Sequence, residues 1–170
     1  MSIPERVMPP MDADERTSLT SWLDFYRATL AGKCEGLTEE QLRTASAPPS
    51  PLTLTGLVRH LAEVERHWFR QVLTGEDIPD LFPQDPGADG MSGGFGGAGE
   101  ISGEEALALW HAEVEHARRN CADRSLDGTG VLGEARVTLR WIYTHMIAEY
   151  ARHCGHADLI RERIDGRTGF

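Results

Sequence analysis

Glu149 and His153 stand four residues apart in the run HMIAEYARHCGHAD, from His145 to Asp158. Four residues is about one helical turn, so on a helix both side chains leave the same face. At roughly 100° per residue, Ile142, Met146, Ile160 and Ile164 share that face, which is expected to point inward. A carboxylate and an imidazole among aliphatic side chains are costly to bury unless something pairs with them. A divalent metal is one such partner. His60 is a second inward candidate, because it lies between Leu57, Leu61 and Val64. Three ligands of type His, Glu and His leave open positions on a metal, the arrangement of a catalytic centre rather than a closed structural one. His145 and His156 share the Glu149 face and could be a fourth ligand, a ligand's partner or a pocket wall.

The Glu-x3-His spacing alone is weak, because Glu63 and His67 repeat it and His111/Glu115 and His145/Glu149 give the reverse order. Solvated pairing of neighbours on a helix is the plain alternative. Placement separates the pairs. His111, Glu113, Glu115, His116 and Arg118 crowd one charged helix and are expected at the surface. Glu63, Glu65, Arg66 and His67 read as a charged stripe beside an apolar one. Arg140, Arg152, Arg161 and Arg163 make the last helix locally basic. Most of these arginines are expected to be solvated or ion-paired, and one or two could bind an anionic group of a ligand. Gly94 to Gly99 matches GxGxxG, but no strand precedes it, so a loop is expected there rather than a dinucleotide site.

These residues need helices to position them, and the sequence supplies the start and stop signals. Asp12 or Asp14 can cap a first helix to about Lys33, with Leu19, Trp22, Leu23, Tyr26 and Leu30 as its stripe. Thr38 with Gln41 has the capping-box spacing for a short helix. Thr53 or Thr55 opens a second long helix to about Leu73, with Leu57, Leu61, Val64, Trp68 and Val72 inward. Ser102 with Glu105 opens a third, to about Cys121, and a fourth runs from near Thr138 to about Arg163. No strand and no internal repeat is expected. Four amphipathic helices imply an all-α fold, a four-helix bundle in one domain over 1–170. A flexible leader is expected over 1–11, and a long Gly-rich mobile loop over 74–103, between the second and third long helices.

A length of 170 residues suits one domain with a real core. The formal net charge of −10 disfavours nucleic acid and anionic membrane as main partners. No apolar run reaches about 18 residues, and the first residues lack a signal peptide's apolar core, so a cytoplasmic protein is expected. Cys34, Cys121 and Cys154 are odd in number and lack a CxxC spacing, so they read as free thiols.

With His60 in LVRHLAEVERHWF and ExxxH in HMIAEYARHCGHADLIRERIDG, the chain resembles the DinB-like (DinB/YfiT-like) superfamily of metal-binding four-helix bundles. The opening ERTSLTSWLDFYRATLAGKCEGLTEEQLR is similar to the actinobacterial branch that holds the mycothiol S-transferases. The resemblance implies a divalent ion, zinc first and nickel, iron or manganese also admitted, held by His60, Glu149 and His153. The Glu variant of the motif is also that of the mycothiol-dependent maleylpyruvate isomerase. It implies mycothiol as a low-molecular-weight thiol co-substrate and a small-molecule electrophile as acceptor, in detoxification. His145 or His156 would then carry the thiol proton, and Arg152 and Arg161 would contact the thiol cofactor. A metal-dependent hydrolase, a mycothiol-dependent isomerase and a non-enzymatic stress-related binding protein are the competing readings, and a homodimer is open.

Overall fold

A computed structural model describes residues 6–82, 95 and 101–169. Most of them are helical: α1 spans Glu15–Cys34, α2 Glu39–Leu42, α3 Leu54–Arg66, α4 Gly103–Cys121 and α5 Leu139–Asp165. A π-helical segment, His67–Val72, continues α3. None of the described helices is long and apolar enough to cross a membrane. Most of the expected loop over 74–103, the Gly94 to Gly99 motif apart from Phe95, and the first five residues of the leader lie outside the described residues.

The local signals act as their chemistry requires. Asp14 caps α1, its carboxylate accepting from the Thr17 N–H and hydroxyl. Thr38 with Gln41 and Ser102 with Glu105 each close a reciprocal capping box at α2 and α4. The Thr138 hydroxyl accepts from the Trp141 N–H at the start of α5, and Gly166, at φ 80°, ends that helix.

The expectation of no strand fails. Thr129–Leu132 (β1) and Ala135–Thr138 (β2) pair antiparallel, with Thr129 opposite Thr138 and Leu132 opposite Ala135. Gly133 takes φ 57° in the two-residue turn between them. Gly130 packs against the π segment so closely that a Cβ there would press on the Val72 carbonyl and lie 2.7 Å from the Leu73 Cα.

Backbone contacts divide the chain into two compact units, Met1–Leu54 with Tyr143–Phe170, and Thr55–Ile142. In the first, Leu23, Phe25, Leu30, Met146, Tyr150 and Ile160 are buried. Arg161 ties α5 to the end of α1, donating to the Lys33 and Glu35 carbonyls at 2.9 and 2.7 Å and pairing with Asp165 at 2.7 Å. Lys33 pairs with Asp158 at 2.8 Å, and the Ser46 hydroxyl donates to the Ile160 carbonyl.

In the second unit the apolar stripe Leu57, Leu61, Val64, Trp68 and Val72 is buried as expected. The charged residues beside it are not the solvated stripe that their types suggest. Glu63 and Glu65 are buried. The Glu63 carboxylate accepts from the Leu81 and Phe82 N–H groups at 3.1 and 2.9 Å. Glu113, expected at the surface, is 3% exposed. Arg66 donates to it at 2.7 and 3.1 Å and Arg70 at 3.1 Å. These partners come from distant parts of the chain, so the helix pattern could not foretell the burial.

Two predictions follow from these carboxylates. Replacing Glu113 by Gln leaves two largely buried guanidinium groups facing an uncharged amide. Breaking such a pair costs about 3–5 kcal/mol when it is fully buried, and partial exposure of the arginines brings the expected loss to about 2 kcal/mol, read as a lower urea midpoint. An unchanged midpoint would show the network contributes nothing. Burial pushes the Glu63 carboxyl above its ordinary value of 4.5, against the two amide donors that favour its charged form. The folded protein therefore holds that proton more tightly than the unfolded chain. The stabilising contribution is full below about pH 4.5 and is lost as the pH rises through the raised folded value. In urea titrations at a series of pH values, the stability of the wild type relative to Glu63→Gln falls across that window. A difference that stays flat or grows with pH would contradict the burial argument.

Candidate metal centre

α5 is a single helix of 27 residues, and its regular turn places Glu149, His153 and His156 in contact. His153 is 5% exposed, and Glu149 is half-buried. The His153 Nε2 lies 3.0 Å from the Glu149 Oε1. The other ring nitrogen, Nδ1, lies 3.3 Å from the His156 Nδ1, with the two rings edge to face at 67°. The apolar neighbours are Met146, Tyr150, Ala157 and Ile160, all buried on the same helix. Glu149 and His153 thus occupy the inward position that the periodicity assigns them.

The chemistry of this pair suits a cation. A neutral imidazole carries one N–H. With that proton on Nδ1, the Nε2 lone pair and a carboxylate oxygen face each other at 3.0 Å. Two lone-pair atoms at that separation need a positive charge to join them. Two donors on one ion, each at about 2.0–2.2 Å, lie no more than about 4.4 Å apart, and this pair meets that bound. With the proton on Nε2 instead, the same contact is an ordinary hydrogen bond to Glu149. The geometry accommodates both states, and a metal would select the first.

His60 belongs to the second unit, in the middle of α3, and is 1% exposed. Its imidazole stacks on the Phe95 ring, with centroids 4.1 Å apart and 18° between planes. One position earlier, the Arg59 guanidinium sits over the Phe82 ring at 4.1 Å. His60, Glu149 and His153 each offer one atom of a type that ligates a divalent ion, two imidazole nitrogens and one carboxylate oxygen.

The remaining candidates differ in their surroundings. His145 and His156 are half-buried, and Arg152 is exposed. Arg161 is 3% exposed and makes the bonds to Lys33, Glu35 and Asp165 described above. His67, the partner of Glu63 in the second Glu-x3-His pair, is held by Gln71, whose Oε1 lies 3.0 Å from its Nδ1. Gln71 in turn donates to the Ile78 carbonyl and to Asp80.

None of the thiols is placed as a nucleophile. Cys34, Cys121 and Cys154 are free and buried. Burial pushes the Cys34 thiol up to about 12 despite the Arg161 charge, and burial likewise pushes Cys154 to about 12. The Cys154 Sγ–H points at the Tyr26 carbonyl, 3.6 Å away. Spacing gives no sign of the Phe95 ring on His60, whereas the His153–His156 contact agrees with the shared helix face expected of His156, since i and i+3 neighbours meet on a helix.

A search of curated proteins finds no match to the chain. The family model for mycothiol-S-transferase matches residues 18–166, a span that holds His60, Glu149 and His153 as well as all five helices except the first turn of α1. With nearly its whole length covered, the chain belongs to the mycothiol-S-transferase family.

Proposed function

We propose that this chain is a divalent-metal-dependent S-transferase that joins mycothiol to an electrophilic small molecule, with His60, Glu149 and His153 as the metal ligands. The observation that carries the reading is the inward Glu149–His153 pair at 3.0 Å in a chain of this family. The reading includes the arrangement expected from the sequence, with the long helices as one bundle around the ligands. It also includes zinc as the first candidate among zinc, nickel, iron and manganese, and a cytoplasmic enzyme.

The thiols of the chain support an external nucleophile. At about 12, Cys34 and Cys154 stay protonated near neutral pH, and a thiol reacts through its thiolate. When bound, a divalent ion supplies the missing element by favouring deprotonation of a coordinated thiol at neutral pH. The residues of the chain then have separate tasks. His145 or His156 accepts the thiol proton and passes it to solvent. Arg152, exposed on α5, meets the polar groups of the thiol cofactor. Arg161 shares that task only by giving up bonds to Lys33, Glu35 and Asp165. In transfer, a sulfur–carbon bond forms as the bond from that carbon to its leaving group breaks, and the leaving group takes the electron pair.

Plasma mass spectrometry of the purified protein is expected to find about one metal per chain, lost in His153→Ala and in His60→Ala. Turnover of an activated halide should require added mycothiol and should drop at least about 100-fold in the same variants, the scale expected when a charge-stabilising group is removed. No metal in the fresh protein, with none taken up on titration with zinc or nickel, would overturn the proposal. Turnover that proceeds equally without thiol would replace it with hydrolysis. Iodoacetamide at pH 7.5 should leave the native cysteines unmodified and label all three after unfolding in guanidinium. Rapid labelling of one cysteine in the native protein would show a nucleophile within the chain.

A further inference from the structure

We propose that His156 is a positioning residue that accepts the His153 Nδ1–H and so turns the His153 Nε2 lone pair toward the metal. The inference rests on the metal-centre reading above and assigns a role distinct from carriage of the thiol proton. Its ground is the Nδ1–Nδ1 contact of 3.3 Å within α5. A hydrogen bond between two ring nitrogens needs a proton on one of them and a lone pair on the other. If His156 donates, His153 must keep its own proton on Nε2, directed at Glu149 Oε1 3.0 Å away, and has no lone pair left for an ion. If His153 donates, Nε2 is a ligand and the Glu149 oxygen stands beside it. The second arrangement is the one compatible with metal, and His156 is the acceptor it requires.

Burial strengthens the case. His153 is 5% exposed, so water is a poor substitute for the acceptor, and a buried N–H without a partner carries a desolvation cost. Ligating histidines commonly donate their second ring N–H to a fixed partner, which sets the tautomer and raises ligand basicity. Loss of such a partner typically weakens metal affinity 10–100-fold. The partner here is three residues along the same helix, so its position is fixed by α5 itself.

The test measures zinc affinity of the full chain by competition with a chromophoric chelator, for the wild type, His156→Ala and His156→Asn. Asn places an amide oxygen close to where Nδ1 stands and can accept the same proton. The expected result is an affinity about 10–100-fold weaker in His156→Ala, restored to within about threefold of the wild type in His156→Asn, with metal-free unfolding midpoints alike. Should His156→Ala fail to fold, His156→Leu keeps the volume without an acceptor and serves in its place. Equal affinity in the wild type and the acceptor-free variant would overturn the inference, as would equal weakening in the Ala and Asn variants. A wild type that binds no zinc would instead remove the metal-centre reading beneath it.

Discussion

A carboxylate removed from water must be met by donors or by a cation, and this chain removes several. Three of them meet that requirement in three ways. Glu113 is joined by two guanidinium groups, Arg66 and Arg70. Glu63 is held by two backbone N–H groups from Leu81 and Phe82. Burial raises its proton affinity, and the two amides oppose that rise. Glu149 faces an imidazole nitrogen, a partner that can be donor or lone pair according to where one proton sits. That ambivalence makes Glu149 different in kind. Guanidinium and amide partners satisfy a carboxylate permanently, whereas an imidazole satisfies it only in one tautomer. In the other tautomer it joins the carboxylate in asking for a cation.

The site needs its helix held in fixed register, because a ligand displaced by a fraction of a residue no longer meets its partner. α5 is anchored near its C-terminal end from several sides. Arg161 donates to two carbonyls at the end of α1, where helical C=O groups have no partner within the helix. Lys33 reaches Asp158 and also the Gly169 carbonyl, and Arg163 donates to the Ser46 carbonyl. Glu149, His153 and His156 lie before these anchors on the same helix, so the regular helix carries the register from the anchors to them. The charge on Arg161 is directed to structure here, and that is why an arginine on the basic helix need not be a ligand contact.

What could be read from the sequence follows the range of the interaction concerned. Asp14, Thr38 with Gln41 and Ser102 with Glu105 act within one turn, and each was legible from residue type and spacing. The inward face of α5 was legible too, because periodicity averages over 27 residues. The hairpin was not. Its strands have four residues each, too few for a period of two to declare itself, and they include Gly130 and Arg136. The close packing of Gly130 on Val72 and Leu73 is a tertiary fact with no local signature. Buried Glu63 and Glu113 were missed for the same reason. Glu113 follows Arg66 by 47 positions, and a charged residue without its partner in view reads as solvent-facing.

The same distinction separates the two Glu-x3-His pairs, which are equal as spacing. Glu63 is occupied by backbone amides and His67 by Gln71, so each member has its own neutral partner and the two are not turned on each other. Glu149 and His153 are turned on each other at 3.0 Å, and the outer nitrogen of His153 is backed by a second imidazole. One spacing thus has two outcomes, a pair drawn apart by other partners and a pair in direct contact. The first pair is parted by other partners, backbone amides that donate to Glu63 and an amide oxygen of Gln71 at His67, whereas the members of the second face each other and a second imidazole stands at the His153 Nδ1.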